Sequence, residues 1–215
     1  MSPRPPKISR DDVLRAALRI VDDDGLDGLT MRSLGAALSV DPMAVYRLFP
    51  SKSAVAAALA DQFWASWSLP PLEDSADWRA YAVTLMSDVR VRLSGHPHLI
   101  PVIATHPLTS PAALSVADEA VGRLIAAGAP VHPELGHLVN TLVMLTVASA
   151  LGEHTPPAGG GEDAADLQDA ADLTELPHLG LLVQRGWAPS FEEQFAGAVR
   201  AVVTGWQFPH QSPPS

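Results

Sequence analysis

Residues 29–52 read LTMRSLGAALSVDPMAVYRLFPSK, two short helical patterns joined by four residues. Thr30 and Asp41 are residue types that cap helix N-termini, because a short side-chain oxygen accepts a bond from a first-turn amide that has no other partner. Pro42 follows Asp41 directly and suits the first helical position, where its missing N–H costs nothing. A helix advances by about 100° per residue. Val45, Leu48 and Phe49 therefore share one side of the second pattern, and Met43 and Arg47 the other, flanked by Ala44 and Tyr46. Three residues pin the helix inward and four face out. Short helix, tight turn, short helix with an outward face of this kind is the arrangement of a helix-turn-helix, whose second helix enters the major groove of DNA.

The residue types fit that geometry. Arg47 can donate two hydrogen bonds to guanine O6 and N7, and Met43 and Ala44 can touch a thymine methyl. Tyr46 and Lys52 suit phosphates. Thr30 at a helix N-cap leaves the first amides pointing outward beside Arg32, which favours a phosphate there. Arg4 and Lys7 lie on a proline-stiffened arm, MSPRPPKIS, that could follow the backbone or a minor groove. The competing reading is that any short helical hairpin in a bundle exposes a few side chains to water. Against it stands the whole ordered set within 24 residues.

Net charge alone argues the other way, since a chain with a formal charge of -10 is ill suited to a polyanion. The distribution reverses this. Residues 1–67 carry eight basic and eight acidic groups, whereas residues 68–215 carry six basic and sixteen acidic ones. A neutral head precedes an acidic body that would face away from phosphates. The absence of cysteine removes disulfides and thiolate metal sites and is compatible with a reducing cytoplasm. The polar, proline-rich N-terminus lacks the apolar region of a signal peptide. The longest uncharged apolar run, residues 138–152, carries Asn140, Thr141, Thr146 and Ser149 and reads as a buried helix.

Helical periodicity runs through most of the chain. Ser9 with Asp12 forms a capping-box pattern, and Leu14, Ala17, Leu18 and Val21 repeat at helical spacing up to Asp22-Asp23-Asp24-Gly25, where glycine can end the helix. Ser51 caps a further pattern with Val55, Ala58, Leu59 and Phe63, closed by Leu69-Pro70-Pro71. Those prolines mark the expected domain junction. A long amphipathic stretch from Trp78 to Leu93 ends at Gly95-His96-Pro97, and further helical patterns cover about 97–104, 110–127, 133–153 and 190–206. With no alternating strand pattern, the fold class is all-α. Residues 156–175, rich in glycine, proline and acid, read as a solvated loop.

Two other classes of function compete with this reading. Eight histidines invite a metal enzyme, but His96 and His98 flank a proline and His132 and His137 are five apart, so neither pair has the i, i+4 spacing that puts two ligands on one helical face. No glycine-rich phosphate loop follows a strand, and no elbow motif singles out a nucleophilic serine. No enzyme, metal or cofactor is expected. A helical module that only dimerises is the second alternative, and it gives no reason for charge to be divided between head and body.

Residues 9–63, above all LTMRSLGAALSVDPMAVYRLFPSKSAV, resemble the DNA-binding domain of the tetracycline-repressor (TetR) family of transcriptional regulators. The resemblance rests on Leu29-Thr30, Leu34 and Leu38, Val40 in the turn, Val45-Tyr46, and Phe49-Pro50-Ser51-Lys52. It implies a helix-turn-helix three-helix head at residues 9–68 after an arm at 1–8, and a helical ligand-binding and dimerisation domain at 72–208 with a tail at 209–215. It implies a homodimer that represses from a pseudo-palindromic operator in the cytoplasm until a small molecule releases it. By position, Thr30, Met31, Arg32, Pro42, Met43, Ala44, Tyr46 and Arg47 fall where such regulators touch DNA, and Lys52 on the phosphate-binding lysine. Ser39 departs from the pattern: the family usually has glycine there, in a turn where positive φ is expected.

Beyond residue 70 the resemblance is one of pattern. The family dimerises through its last two long helices, here 133–153 and 190–206. Independently, the first is apolar nearly all round and the second carries an apolar stripe, so a four-helix contact with a second copy would bury both. Leu138, Leu142, Leu145, Phe195, Val199, Val202 and Trp206 are the expected interface. A mostly apolar effector site is expected among Met86, Val89, Ile103, His106, Leu142 and Thr146, although for any one of these residues core packing is the commoner use.

Overall fold

The computed structural model describes residues 8–73, 77–106, 110–155 and 176–209. Among them are ten α-helices, one 3-10 turn and no strand, so the chain is all-α as its periodicity indicates. The helices are α1 (Arg10–Gly28), α2 (Met31–Ala37), α3 (Pro42–Tyr46), α4 (Lys52–Ala65), α5 (Trp78–Ser94), α6 (Ile100–Thr105), α7 (Pro111–Ala126), α8 (Pro133–His154), α9 (Leu179–Val183) and α10 (Phe191–Gly205), and the turn at Pro97–Leu99 precedes α6. The arm with Arg4 and Lys7, the loop at 156–175 and the last six residues lie outside the described residues.

Two compact units divide the chain: residues 1–71 with 95–123, and residues 72–94 with 124–215. In the first unit each of the opening four helices starts at the cap its sequence announces. Ser9 accepts from the Asp12 amide at 3.1 Å while the Asp12 carboxylate accepts from the Ser9 amide at 2.9 Å. The hydrogen bonds from Ser9 hold the Asp12 carboxyl below its ordinary value. Thr30 accepts from the Ser33 amide, Asp41 from that of Met43 and Ser51 from that of Ala54. Each bond satisfies an amide that the helix leaves orphaned and stabilises it by about 1 kcal/mol. Regular helix in α1 breaks at Gly25, whose φ of 70° and ψ of -177° combine a positive φ with an extended ψ that only glycine adopts readily.

Val13, Leu14, Ala17 and Val21 of α1 are buried with Leu34, Val45, Phe49, Val55, Leu59 and Phe63. Residues 95–123 close onto this core. Nδ1–H of His98 donates to the carbonyls of Val21 and Asp22 near the end of α1, and His96 Nδ1 lies 3.0 Å from Oδ1 of Asp22. On the other side α6 packs on α4, the Ser110 amide donates to Asp61, and Arg123 donates to the carbonyls of Leu69 and Pro70.

Ser39 has a φ of 55°, the sole positive φ outside glycine among the described residues. The turn keeps its left-handed geometry, with the Val40 amide donating to the Gly35 carbonyl at 2.9 Å, and serine bears the strain. Ser39→Val, which puts a β-branched side chain at this φ, is expected to lower stability by about 1–3 kcal/mol. Ser39→Gly should leave it nearly unchanged, because relief of strain is offset by added freedom in the unfolded chain. Thermal unfolding of the two variants checks this, and equal midpoints would show that the turn does not constrain the residue.

In the second unit α5 buries Trp78, Tyr81, Ala82, Leu85, Met86, Val89 and Leu93 against α8 and α10, which also pack on each other. α8 is 22 residues long and apolar enough by composition to cross a membrane. Here it is a packing helix of the bundle, with Leu135, Leu138, Leu142, Thr146, Val147 and Ala150 buried. Arg90 of α5 joins the three helices, with Nη2 2.5 Å from Glu153 Oε2 on α8 and its guanidinium 5.3 Å from the ring centroid of Phe195 on α10.

Candidate nucleic-acid interface

The sequence places α3 between two anchors. Val45 and Phe49 are buried almost completely, each worth about 1.5–3 kcal/mol of burial, and they fix one side of the helix to the core. The opposite side is left in water: Met43 is 62% and Tyr46 45% exposed, Arg47 is exposed, and Pro42 and Ala44 are half-buried. Of the outward set read from helical geometry, Met43, Tyr46 and Arg47 are exposed, whereas Ala44 is half-buried, as is Leu48 on the inward side.

Close approach of α2 sets the attitude of α3. A Cβ on Gly35 would stand 3.0 Å from the Val40 carbonyl oxygen and 3.2 Å from Pro42, so the two helices meet at a distance that a side chain would widen. At the start of α2, Thr30 and Arg32 are exposed, whereas Met31 is buried at 7% exposure. Met31 therefore supplies packing at the helix start, and what it can offer a ligand there is its backbone amide. Lys52, half-buried, opens α4 directly after the Ser51 cap. Arg4 and Lys7 lie outside the described residues.

Sequence reasoning missed Arg10. Its Nη1 donates to the carbonyl of Leu48 at 2.6 Å, and its guanidinium carbon sits 4.0 Å from the centroid of the Phe49 ring. A basic residue at the start of an amphipathic helix carries no local signal of a contact 38 positions away.

The residues expected to line an effector site are divided between the two units. Met86, Val89, Leu142 and Thr146 belong to the second and are buried there; Ile103, buried, and His106, half-buried, belong to the first. The Thr146 hydroxyl donates to the Leu142 carbonyl at 2.7 Å and His106 Nδ1–H to that of Val102 at 2.8 Å, so both polar groups are satisfied within their own segments. Buried polar atoms with no partner among the described residues, by contrast, include Arg90 Nε and Trp206 Nε1 in the second unit.

Of the residues expected at a contact between copies, Leu138, Leu142, Phe195 and Val199 are buried within the chain's own second unit. Their apolar period reports the bundle core. Leu145, Val202 and Trp206 are half-buried. The outward residues of α8 are instead Gly136, His137, Asn140, Met144, Ala148 and Gly152, and those of α10 include Gly197, Ala201 and Gly205.

A helix-turn-helix head followed by a larger helical bundle is the build of a transcriptional regulator. Two family profiles match the chain, that of the tetR family of bacterial regulatory proteins over residues 13–59 and that of the tetracyclin repressor-like C-terminal domain over residues 70–207. The chain belongs to the TetR family of bacterial transcriptional regulators. It is 30% identical over 169 residues to the class A tetracycline repressor protein from transposon 1721 of Escherichia coli, which covers 76% of each chain. It is 29% identical over 140 residues to the transcriptional repressor DrrR1 of Streptomyces coeruleorubidus, a match spanning 65% of this chain and 50% of that relative. Among solved structures it is similar to ActR of Streptomyces coelicolor in complex with actinorhodin, with a TM-score of 0.76, 20% identity and coverage of 95% and 96% of the two chains. At that identity the likeness concerns the fold.

Proposed function

We propose that this protein is a ligand-responsive repressor which binds a pseudo-palindromic operator as a homodimer. The observation that carries the reading is the α3 surface: Met43, Tyr46 and Arg47 are exposed, with Ala44 half-buried beside them, on a helix whose other side is locked by Val45 and Phe49. Arg47 reads a base edge, Met43 and Ala44 contact thymine methyls, and Thr30, Arg32, Tyr46 and Lys52 hold phosphates, with Arg4 and Lys7 on an arm that follows the backbone or a minor groove. Two such heads occupy successive major grooves, about one helical turn of DNA apart. The compartment is the cytoplasm, where the DNA lies. Selection of bound duplexes from a random pool tests this directly. An enriched palindrome is the expected result, and a pool that stays random after several rounds would refute operator recognition.

A dimer through the outward faces of α8 and α10 is supported by their composition. Asn140, Met144 and Ala148 follow one another along α8 without a charge, and α10 presents Gly197, Ala201 and Gly205, with Arg200 beside them. Small uncharged residues let two helices approach closely, and Leu145, Val202 and Trp206 flank the contact.

The effector is a small, mostly apolar molecule held in the second unit among Met86, Val89, Leu142 and Thr146. Arg90 Nε and Trp206 Nε1 are among the buried polar atoms that find no hydrogen-bond partner among the described residues, and as donors they suit a ligand bearing carbonyl or phenolic oxygens. Complexes such as that of ActR with actinorhodin make this chemistry a natural starting library. Binding lowers operator affinity only if the ligand prefers the released state of the dimer. Trp64 and Trp67, both 8% exposed at the end of α4, should change fluorescence as the head moves. A ligand that raises the melting temperature yet leaves operator affinity unchanged would separate binding from release and overturn the coupling.

A further inference from the structure

We infer that Arg10 is a positioning residue for base readout: it clamps the exit of α3, so that sequence discrimination by Arg47 depends on a side chain on a different helix. This rests on the reading of α3 as the recognition helix. α3 is five residues long, too short to hold its own direction through helical hydrogen bonds alone, and its last carbonyls have no acceptor role within the helix. Arg10 braces the chain just past that end. Its Nη1 donates to the Leu48 carbonyl at 2.6 Å, one residue beyond the Arg47 cap, and its guanidinium plane lies 4.0 Å over the ring of Phe49, the residue that anchors the same exit in the core.

The two contacts use different properties of the same group. The hydrogen bond needs a directed N–H, and the ring contact needs a flat, weakly hydrated cation; a guanidinium supplies both at once and an ammonium does not. Arg10 is itself fixed at its base, since it is the first residue of α1 directly after Ser9, which forms the capping box with Asp12. The chain of support therefore runs from a capped α1 terminus through one rigid fork to the backbone immediately following Arg47. A rotation of α3 about its inward anchors would carry Arg47 and Met43 off their base edges while leaving the cationic surface of the head intact.

A phosphate contact by Arg10 would give a different pattern, and binding measured against salt separates the two. Wild type, Arg10→Lys, Arg47→Ala and the double variant are titrated with the selected operator and with random duplex, each over a range of salt. The inference expects Arg10→Lys to lose about tenfold or more in operator affinity, with binding to random DNA and the salt slope unchanged. It also expects the loss to shrink markedly in the Arg47→Ala background, because Arg10 acts through Arg47. Normal operator affinity of Arg10→Lys would overturn it, as would equal loss on both DNAs or a loss of the same size with and without Arg47. Far-ultraviolet circular dichroism and random-DNA affinity of the same samples report whether the head remains folded. Should Arg10→Lys unfold it, Arg10→Gln, which keeps a planar donor but no charge, is titrated by the same scheme. A wild-type protein that selects no sequence at all would defeat the recognition reading itself, an outcome distinct from failure of the clamp.

Discussion

Arg47→Ala is expected to abolish most of the operator preference while random DNA is bound nearly as before. Arg47 is exposed on the outward side of α3, opposite the buried Val45 and Phe49, so nothing in the head's core depends on its side chain. A bidentate arginine–guanine pair contributes about 1–3 kcal/mol of discrimination. A symmetric operator uses it twice, so the loss should reach about 2–6 kcal/mol if the two half-sites act independently. Lys52→Ala supplies the contrast. At the first position of α4 it can reach a phosphate but not a base edge, so its removal should weaken binding to every sequence and lower the salt slope by about one per contact. Titration of both variants against operator and random duplex at several salt concentrations distinguishes the roles. The assignment fails if the two substitutions weaken both DNAs in parallel.

The head was legible because its determinants are local. Ser9, Thr30, Asp41 and Ser51 each act on an amide two or three residues away, and a pattern that short survives in any window of sequence. Ser39 was legible for the same reason: the turn needs a positive φ whatever residue stands there, and serine adopts 55°. Contacts that cross the chain left no such trace. Nothing in the periodicity of residues 95–123 indicates that His96 and His98 reach back to the end of α1, or that Arg10 meets Leu48.

The interface residues show a different limit. An apolar stripe reports that a face is buried but not against what, and Leu138, Leu142, Phe195 and Val199 are already buried in their own unit. The exposed residues of α8 are mostly small or uncharged, and those of α10 include Glu192, Glu193 and Arg200 beside Gly197 and Ala201, a mixture with little hydrophobic contrast to read. α9, five residues with Leu179, Leu181 and Leu182 exposed, was equally invisible, because a helix of one turn has no period to detect.

Met144→Asp is the sharpest test of assembly. Met144 is 63% exposed on the outward face of α8, so within one chain an aspartate there stays hydrated and should cost no more than about 0.5 kcal/mol. In a dimer formed through that face the same carboxylate loses water beside Gly136, Asn140 and Ala148, none of which can neutralise it, and two-fold symmetry repeats the penalty on the partner. Burial of an unpaired charge costs several kcal/mol, enough to shift a dimer to monomer at micromolar concentration. Val202→Asp is a weaker probe, because Val202 is already half-buried in its own unit and its replacement would also strain the monomer. Loss of the dimer removes the second head, and with it the gain of about 10²–10⁴ that two linked sites confer on operator binding. Sedimentation should therefore find a folded monomer with an unchanged melting profile at low concentration. Operator affinity should fall toward that of a single half-site. A Met144→Asp protein that sediments as a dimer and holds its operator as tightly as before would place the contact on another face of the body.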